Sequence, residues 1–292
     1  MTEIRVGSRE SKLALVQTNI IIDLIKRKHP DLLFKIITVK TAGDRMLDRR
    51  LDNEGGKGLF VKELDQLLLD GEADFCVHSL KDMPAASNDE LPIHAFSKRA
   101  DVRDALILAG DRNQIDFSLP FGSASPRRIL QLRKLYSNLD IKLIRGNVQS
   151  RLAKVDSGEF GGTILALAGL QRLGLGDRAT KIFSVEEMLP SAGQGIIAVQ
   201  GRRDGDYKYL EDIGDIDSFY AAQAERSFVL ANGADCSSPI AVYAKVYKNE
   251  IQLSGIYAEN ENEDFVFGKL AGDRDDARLL GVQLAEKLRK EL

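Results

Sequence analysis

The chain has 292 residues, 41 Lys and Arg against 44 Asp and Glu, no Trp, and a formal net charge of -3. That length is long for one core and predicts two or three lobes, while the near-balanced charge excludes the basic face that a nucleic-acid reader needs. No apolar run approaches the ~20 residues of a bilayer span and the start, MTEIRVGSRE, carries no signal-like apolar stretch, so a soluble cytoplasmic protein is expected, without membrane or nucleic-acid partners.

The first ninety residues alternate strand and helix. IRVGSR (4–9) reads as a strand, and residues 11–30 carry apolar side chains at helical spacing, with Ser11 as N-cap and Pro30 as stop. FKIITVK is the second strand, GLFVKELDQLLLDG the second helix and ADFCVHS the third strand. Such a β-α-β-α-β unit makes parallel strands whose carboxyl ends share one edge, where α/β proteins bind ligands. Ser8 with Arg9, Thr41 with Asp44, and Lys81 with Asp82 project from that edge. Asp82 is the first residue to suspect of chemistry, because a carboxylate beside an ammonium at the end of a buried strand can manage protons or steady a cation; a plain exposed Lys/Asp turn is the alternative. Between second strand and second helix, the polar segment 42–58 is long enough to be a covering loop. Its GGKG resembles a phosphate loop, but Gly58 stands where Ser or Thr would hold a metal and Leu51 where the first glycine belongs, which excludes nucleotide hydrolysis.

From Asp104 the alternation resumes with ALILA, LPFGSAS, the helix PRRILQLRKLY, the strand IKLIRG, the helix NVQSRLAKVDSGEF and the strand TILALAG, predicting a second parallel-sheet lobe. LPSAGQGIIAVQ reads as a hinge and a returning strand. The tail reads as a separate α+β domain: the helix FYAAQAERSFVLANG, three antiparallel strands with turns at Lys248 to Glu250 and Asn260 to Glu263, and a last helix.

Six arginines fall at strand ends or helix starts. Arg127 and Arg128 follow Ser125, a candidate cap, and Pro126, which suits the first helical position. Cations in a first turn oppose the helix dipole, so a bound anion would offset their placement. Arg145 ends a strand, Arg151 lies one turn past the cap Asn147, Arg172 follows a strand, and Arg9 occupies the same edge in the first lobe. Guanidinium forks grip carboxylates in pairs, which points to a ligand bearing several acid groups. The cysteines, Cys76 and Cys236, are too few and too distant for a disulfide framework and suit a reducing compartment. Cys236 lies in a polar loop, unusual for a thiol whose value is packing. His29, His78 and His94 show no metal-ligand spacing, so no metal is expected; Cys76 and His78 share one strand face and read as core.

VHSLKDMP, GGKGLFVKEL, SASPRR, IRGNVQSRL, LALAGLQRLGL, LPSAGQG and a loop cysteine before PIA, in that order, make the chain similar to the porphobilinogen deaminase family. The resemblance implies two parallel-sheet α/β lobes like a type II periplasmic binding protein plus a C-terminal α+β domain with a three-stranded antiparallel sheet. The first lobe would span 1–98 with 194–213, the second 99–193 and the last domain 214–292. It implies a monomeric transferase that joins four porphobilinogen molecules head to tail with loss of ammonia, giving hydroxymethylbilane for tetrapyrrole synthesis. A dipyrromethane cofactor primes the chain, and Cys236 matches its thioether attachment. Asp82 matches the catalytic aspartate, which steadies the azafulvene cation left by ammonia. Arg9, Arg127, Arg128, Arg145, Arg151 and Arg172 match the carboxylate-binding arginines, with Lys81, Ser11, Ser79 and Ser125 as helpers. Asn53 stands where a lysine is common, and the cysteine loop, GADCSSPI, departs from the family around Cys236. Two other classes fit some of these residues: a noncatalytic solute-binding module, and a redox or metal site using Cys76, Cys236 and His78.

Overall fold

The computed structural model describes residues 3–45, 61–86, 88–110, 112–234, 238–261 and 264–292. The expected loop 42–58, beyond residue 45, and Cys236 lie outside the described residues.

The first lobe is built from β1 (Glu3–Arg9), α1 (Lys12–Lys26), β2 (Leu33–Val39), a single turn α2 (Ala42–Arg45), α3 (Lys62–Leu69), β3 (Phe75–Ser79) and β4 (Ile93–Phe96). Ser11 Oγ accepts from Ala14 N at 3.3 Å and so satisfies one of the orphan donors at the start of α1. Ile21, Ile22 and Ile25 then fall on one face and are buried against Val6, Phe75 and Val77. Each such burial contributes roughly 1.5–3 kcal/mol, which holds α1 to the sheet. β1 pairs in parallel with both β2 and β3, so Arg9 and Ser79 end at the same edge.

The second lobe comprises β5 (Asp104–Leu108), β6 (Phe121–Gly122), α4 (Pro126–Leu135), β7 (Ile141–Lys142), α5 (Val148–Asp156), β8 (Gly162–Ala166), α6 (Leu167–Arg172) and β9 (Lys181–Ile182). The strands expected in LPFGSAS and IKLIRG shrink to two residues each, which leaves Arg145 in the loop before α5. β6 is parallel to β7 and β8, whereas β5 runs antiparallel to β8 and β9.

The chain then returns to the first sheet as β10 (Ile197–Gly201), followed by α7 (Lys208–Glu211). β10 lies between β3 and β4, antiparallel to both, giving the order β2-β1-β3-β10-β4. All five of its residues are buried, which is why IAVQG has no polar alternation. Both lobes are therefore mixed five-stranded sheets in which four strands run one way and a single strand, β10 in the first and β5 in the second, runs the other.

The two crossings between the lobes pass each other at Ala100 and Gly195, where Ala100 N donates to Gly195 O at 3.1 Å. Gly195 has φ +92°, and a Cβ there would sit 2.6 Å from Ala100 O, so only glycine fits. The third unit has α8 (Ile216–Ala231), β11 (Ala241–Tyr247), β12 (Glu250–Tyr257), β13 (Val266–Asp273) and α9 (Ala277–Glu291). Its antiparallel sheet turns at Lys248 and Asn249, with Lys248 at φ +55°, and packs Val242, Ile251 and Leu253 on Phe228, Leu284 and Leu288.

Candidate active site

Between the two lobes lies a cleft of about 610 Å³. The first lobe supplies Arg9, Ser11, Ser79, Lys81 and Asp82 to its lining, and the second supplies Ser125, Arg128, Arg145, Arg151 and Arg172. Parallel strand ends explain the convergence, since β1, β3 and β8 all stop at this edge and hand over to helices or turns there.

Asp82 sits in a single 3-10 turn, Leu80–Asp82, that begins as β3 ends. Leu80 is 2 % exposed, and its N–H donates to Ile196 O at 3.0 Å, so one buried side chain and one bond to the returning segment fix the turn. Beside it, burial pushes the Lys81 ammonium down to about 8; Asp82 opposes the shift and Arg128 reinforces it. Lys81 Nζ lies 3.4 Å from Gln194 Oε1. Gln194, fully buried, donates in turn to Val102 O at 2.7 Å and to Asp104 Oδ1 at 3.0 Å.

Asp104, the first residue of β5 and fully buried, is the floor of this network. Arg128 reaches its Oδ1 with Nη2 at 2.8 Å and its Oδ2 with Nε at 3.3 Å, and Arg127 Nη1 lies 2.8 Å from the same Oδ2. Burial alone would raise the Asp104 carboxyl, but Arg127 and Arg128 hold it well below the usual carboxylate range. Arg128 lines the cleft. Arg127 does not: it is 4 % exposed, and its Nη1 also donates to Leu189 O at 2.8 Å. Neighbouring residues of a helix point about 100° apart, and of the two it is Arg128 that reaches the cleft lining.

Arg151 is pushed down to about 10 by burial and by Arg128 and Arg145, with Asp82 opposing from the first lobe. Its Nε donates to Gly146 O at 2.9 Å. Arg172, lowered to about 10 by burial, donates to Gly195 O at 2.7 Å and so braces the crossing as well as the cleft. Asn147 caps α5 through Ser150 N at 2.9 Å. Ser125 occupies the N-cap position of α4 without a side-chain cap bond. A cleft in which Arg128 and Arg145 push Arg151 down, and Arg128 pushes Lys81 down, is a site that an anionic ligand stabilises. This donor set fits a polyacid such as a dipyrromethane carrying carboxylate arms.

The roles of Gln194 and Asp104 were not read from the sequence, nor was that of Gln17, whose amide lies 2.8 Å from Ser79 Oγ. A lone acid opening the apolar run DALIL was the one available signal for Asp104. The histidines go three ways: His29 meets Asp212 at 3.1 Å, His94 stacks on Tyr207, and His78 is buried in β3. Cys76 is buried beneath α3, its thiol against Leu64 O, and among the described residues no His, Cys, Asp and Glu gather as a metal site.

A family model described as porphobilinogen deaminase, dipyromethane cofactor binding domain, matches residues 4–210, and one for the porphobilinogen deaminase C-terminal domain matches residues 219–290. A porphobilinogen deaminase of Acetivibrio thermocellus is 49% identical over 288 residues, 99% of this chain and 98% of that protein. One of Alkaliphilus oremlandii is 47% identical over 290 residues, 99% and 97% of the respective chains. Among solved structures, the periplasmic aliphatic sulphonate binding protein SsuA of Escherichia coli aligns over 79% of this chain and 70% of its own, at 13% identity and a TM-score of 0.39.

Proposed function

Because the chain belongs to the porphobilinogen deaminase family, we propose that the interlobe cleft is where it joins porphobilinogen units, with Asp82 as the catalytic group. The reaction condenses four porphobilinogens head to tail with loss of four ammonia molecules and yields hydroxymethylbilane for tetrapyrrole synthesis. The single observation that carries the site is Asp82 facing a ring of cations from both lobes: Arg9 and Lys81 on its own side, Arg128, Arg145, Arg151 and Arg172 opposite.

Each pyrrole brings an acetate and a propionate, so the growing product is a polyanion. Arg128, Arg145, Arg151 and Arg172 bind those carboxylates, with Arg9, Lys81, Ser11, Ser79 and Ser125 completing the cradle. Arg127 acts through Asp104 as a positioning residue for Arg128. When bound, the dipyrromethane cofactor supplies the terminal pyrrole carbon to which the first substrate is joined. Cys236 is the proposed thioether attachment. Asp82 holds the substrate's pyrrole N–H and carries the negative charge that stabilises the cation formed as the aminomethyl nitrogen departs. Lys81 and Asp82 belong to one turn anchored by the buried Leu80, so the charge stays in place as the ligand lengthens.

The proposed division into 1–98 with 194–213, 99–193 and 214–292 is supported by the three separate sheets. Action as a monomer is supported by a cleft made from one chain. A reducing, cytoplasmic setting is supported by the free, buried Cys76 thiol, and among the described residues no helix is long and apolar enough to cross a membrane. Intact mass spectrometry of purified enzyme, with ammonia measured on adding porphobilinogen, tests the reading. The expected protein is heavier than its sequence by two pyrrole units and releases one ammonia per porphobilinogen. Active protein at the bare-chain mass removes the cofactor, and porphobilinogen left intact favours a binding module.

A further inference from the structure

Lys81 belongs to the first lobe and Asp104 to the second, and one side chain stands between them. Gln194, in the segment that crosses back between the lobes, is fully buried. Its Nε2 donates to Val102 O at 2.7 Å and to Asp104 Oδ1 at 3.0 Å, which fixes the amide and turns Oε1 toward Lys81 Nζ at 3.4 Å. Ser191 Oγ donates to the same Oε1, also at 3.4 Å. The backbone is held as firmly. Gln194 O accepts from Arg99 Nε at 2.9 Å, and at Gly193, with φ +72°, a Cβ would lie 2.7 Å from Leu80 Cγ. The turn that carries Lys81 and Asp82 therefore presses directly on the crossing.

A group placed between an ammonium and a carboxylate must accept on one side and donate on the other, and an amide does both from one rigid plane. A glutamate there would face Asp104 with a like charge, and an apolar side chain would leave nothing to hold the lysine back. Asp104 needs no further cation. Its Oδ1 takes Arg128 Nη2 and Gln194 Nε2, and its Oδ2 takes Arg127 Nη1 and Arg128 Nε. Among the described residues, the one hydrogen bond of Lys81 goes to the neutral amide. An ammonium carries three donors, so two remain for a ligand in the cleft that Lys81 lines. Burial pushes that ammonium down to about 8 against the pull of Asp82 and Asp104, with Arg128 and Arg127 adding to the fall, as befits a cation held by a dipole.

We propose that Gln194 is a positioning residue for the reaction: its amide keeps Lys81 off Asp104, so that Lys81 presents its charge to the ligand and Asp104 stays with Arg128. Without this spacer the two opposite charges attract strongly in a poorly solvated place. Lys81 then turns from the cleft, and Arg128 shares the acid that holds it. One amide thus keeps a cation of each lobe available to the same polyacid. The assignment rests on the cleft and the reaction proposed above.

The test is a cycle of Gln194→Met and Lys81→Met, read as KM and kcat for ammonia release from porphobilinogen. Gln194→Met, similar in length but unable to donate or to hold the ammonium, should raise KM roughly fivefold or more with a smaller change in kcat. In the Lys81→Met background the same substitution should raise KM by less than about twofold, because no ammonium is left to compete for Asp104. An equal rise in both backgrounds means a merely structural role and overturns the proposal, as does an unchanged KM in folded Gln194→Met. Urea midpoints test the spacer without any Gln194 variant. Lys81→Met removes a desolvated cation that has no direct counter-charge, so its midpoint should equal or exceed that of wild type. A midpoint lowered toward that of Asp104→Asn would put Lys81 in an ion pair and overturn the spacer. Wild type that leaves porphobilinogen intact sinks the reaction, and the midpoints still decide the spacer.

Discussion

Arg128 Nη2 and Asp104 Oδ1 meet at 2.8 Å beneath the cleft, in a two-point contact that also places Arg128 Nη1 2.9 Å from Ile164 O. The arginine that faces the ligand is thus held by a fully buried acid that never reaches it. Asp104→Asn leaves Arg127 and Arg128 without their counter-charge. Breaking a buried pair this way costs about 3–5 kcal/mol, and urea unfolding at neutral pH measures it. The sign with pH follows from the lowered Asp104 carboxyl. Its stabilisation is complete above the unfolded carboxylate value of about 4 and is lost as pH falls below it. The gap between wild type and variant should therefore shrink in acid; a gap that widens there removes the ion-pair account.

The arginine cradle was legible in part: Arg9 ends β1 as read, whereas Arg145 reaches the cleft from the loop before α5, Arg151 from α5 itself and Arg172 from the end of α6, because the strand expected in TILALAG stops at Ala166 and its second half is helix. Arg127 was not separable from Arg128, since adjacency in sequence hides which side of α4 each occupies. The bonds of Asp104 and Gln194 were hidden for another reason. Their partners lie 24 and 90 residues away, and no local pattern encodes a contact of that range. The antiparallel course of β5 and β10 was missed likewise, because it is set by where the chain crosses between lobes and not by the apolar runs. Ser11 and Asn147 were read correctly as caps, their bonds being local.

Asp82 is held by its turn and not by a side-chain partner on which the cradle depends. Asp82→Asn keeps the shape and removes the charge, so porphobilinogen binding should survive and turnover should fall by roughly 10²–10⁴, the range for a positioned acid or base. Single-turnover ammonia release measures this directly. A variant within about tenfold of wild type would move the catalytic role to another residue.

Lys81 provides a pH test with two opposite slopes. Its ammonium titrates at about 8 in the folded protein, so the affinity for carboxylate ligands should fall as pH rises through that value. Folding stability should rise in the same window. The unfolded chain, with lysine near 10.4, still binds the proton that the folded state has released. Lys81→Arg keeps its charge and should flatten the alkaline fall in affinity. Parallel slopes for affinity and stability would contradict the desolvated lysine.

Two serines at helix starts separate capping from ligand contact. Ser11 Oγ accepts from Ala14 N, and Ser11→Ala should cost about 1 kcal/mol of stability. Ser125 makes no such bond, so Ser125→Ala should stay within about 0.5 kcal/mol in denaturant melts. Since Ser125 lines the cleft, its loss should appear as a raised KM. A stability loss in Ser125→Ala matching that of Ser11→Ala would restore the capping role that the sequence suggested.

Glu225 ties the third unit to the crossing. It is fully buried on α8 and accepts from Arg99 Nη1 at 2.6 Å, Gly193 N at 2.6 Å and Ala244 N at 2.8 Å. Arg99 Nε in turn donates to Gln194 O at 2.9 Å, so one carboxylate links α8, β11 and the segment that positions Lys81. Glu225→Gln keeps the size but loses the charge, stranding a mostly buried guanidinium, and should destabilise the protein by about 3–5 kcal/mol. Removing Arg99 as well should recover part of that loss, because the two residues share one interaction. The coupling in the Glu225→Gln and Arg99→Met cycle should reach about 0.5–3 kcal/mol. Strictly additive losses would mean that the carboxylate serves only the backbone N–H groups, and that the third unit is held to the crossing by packing of α8 alone.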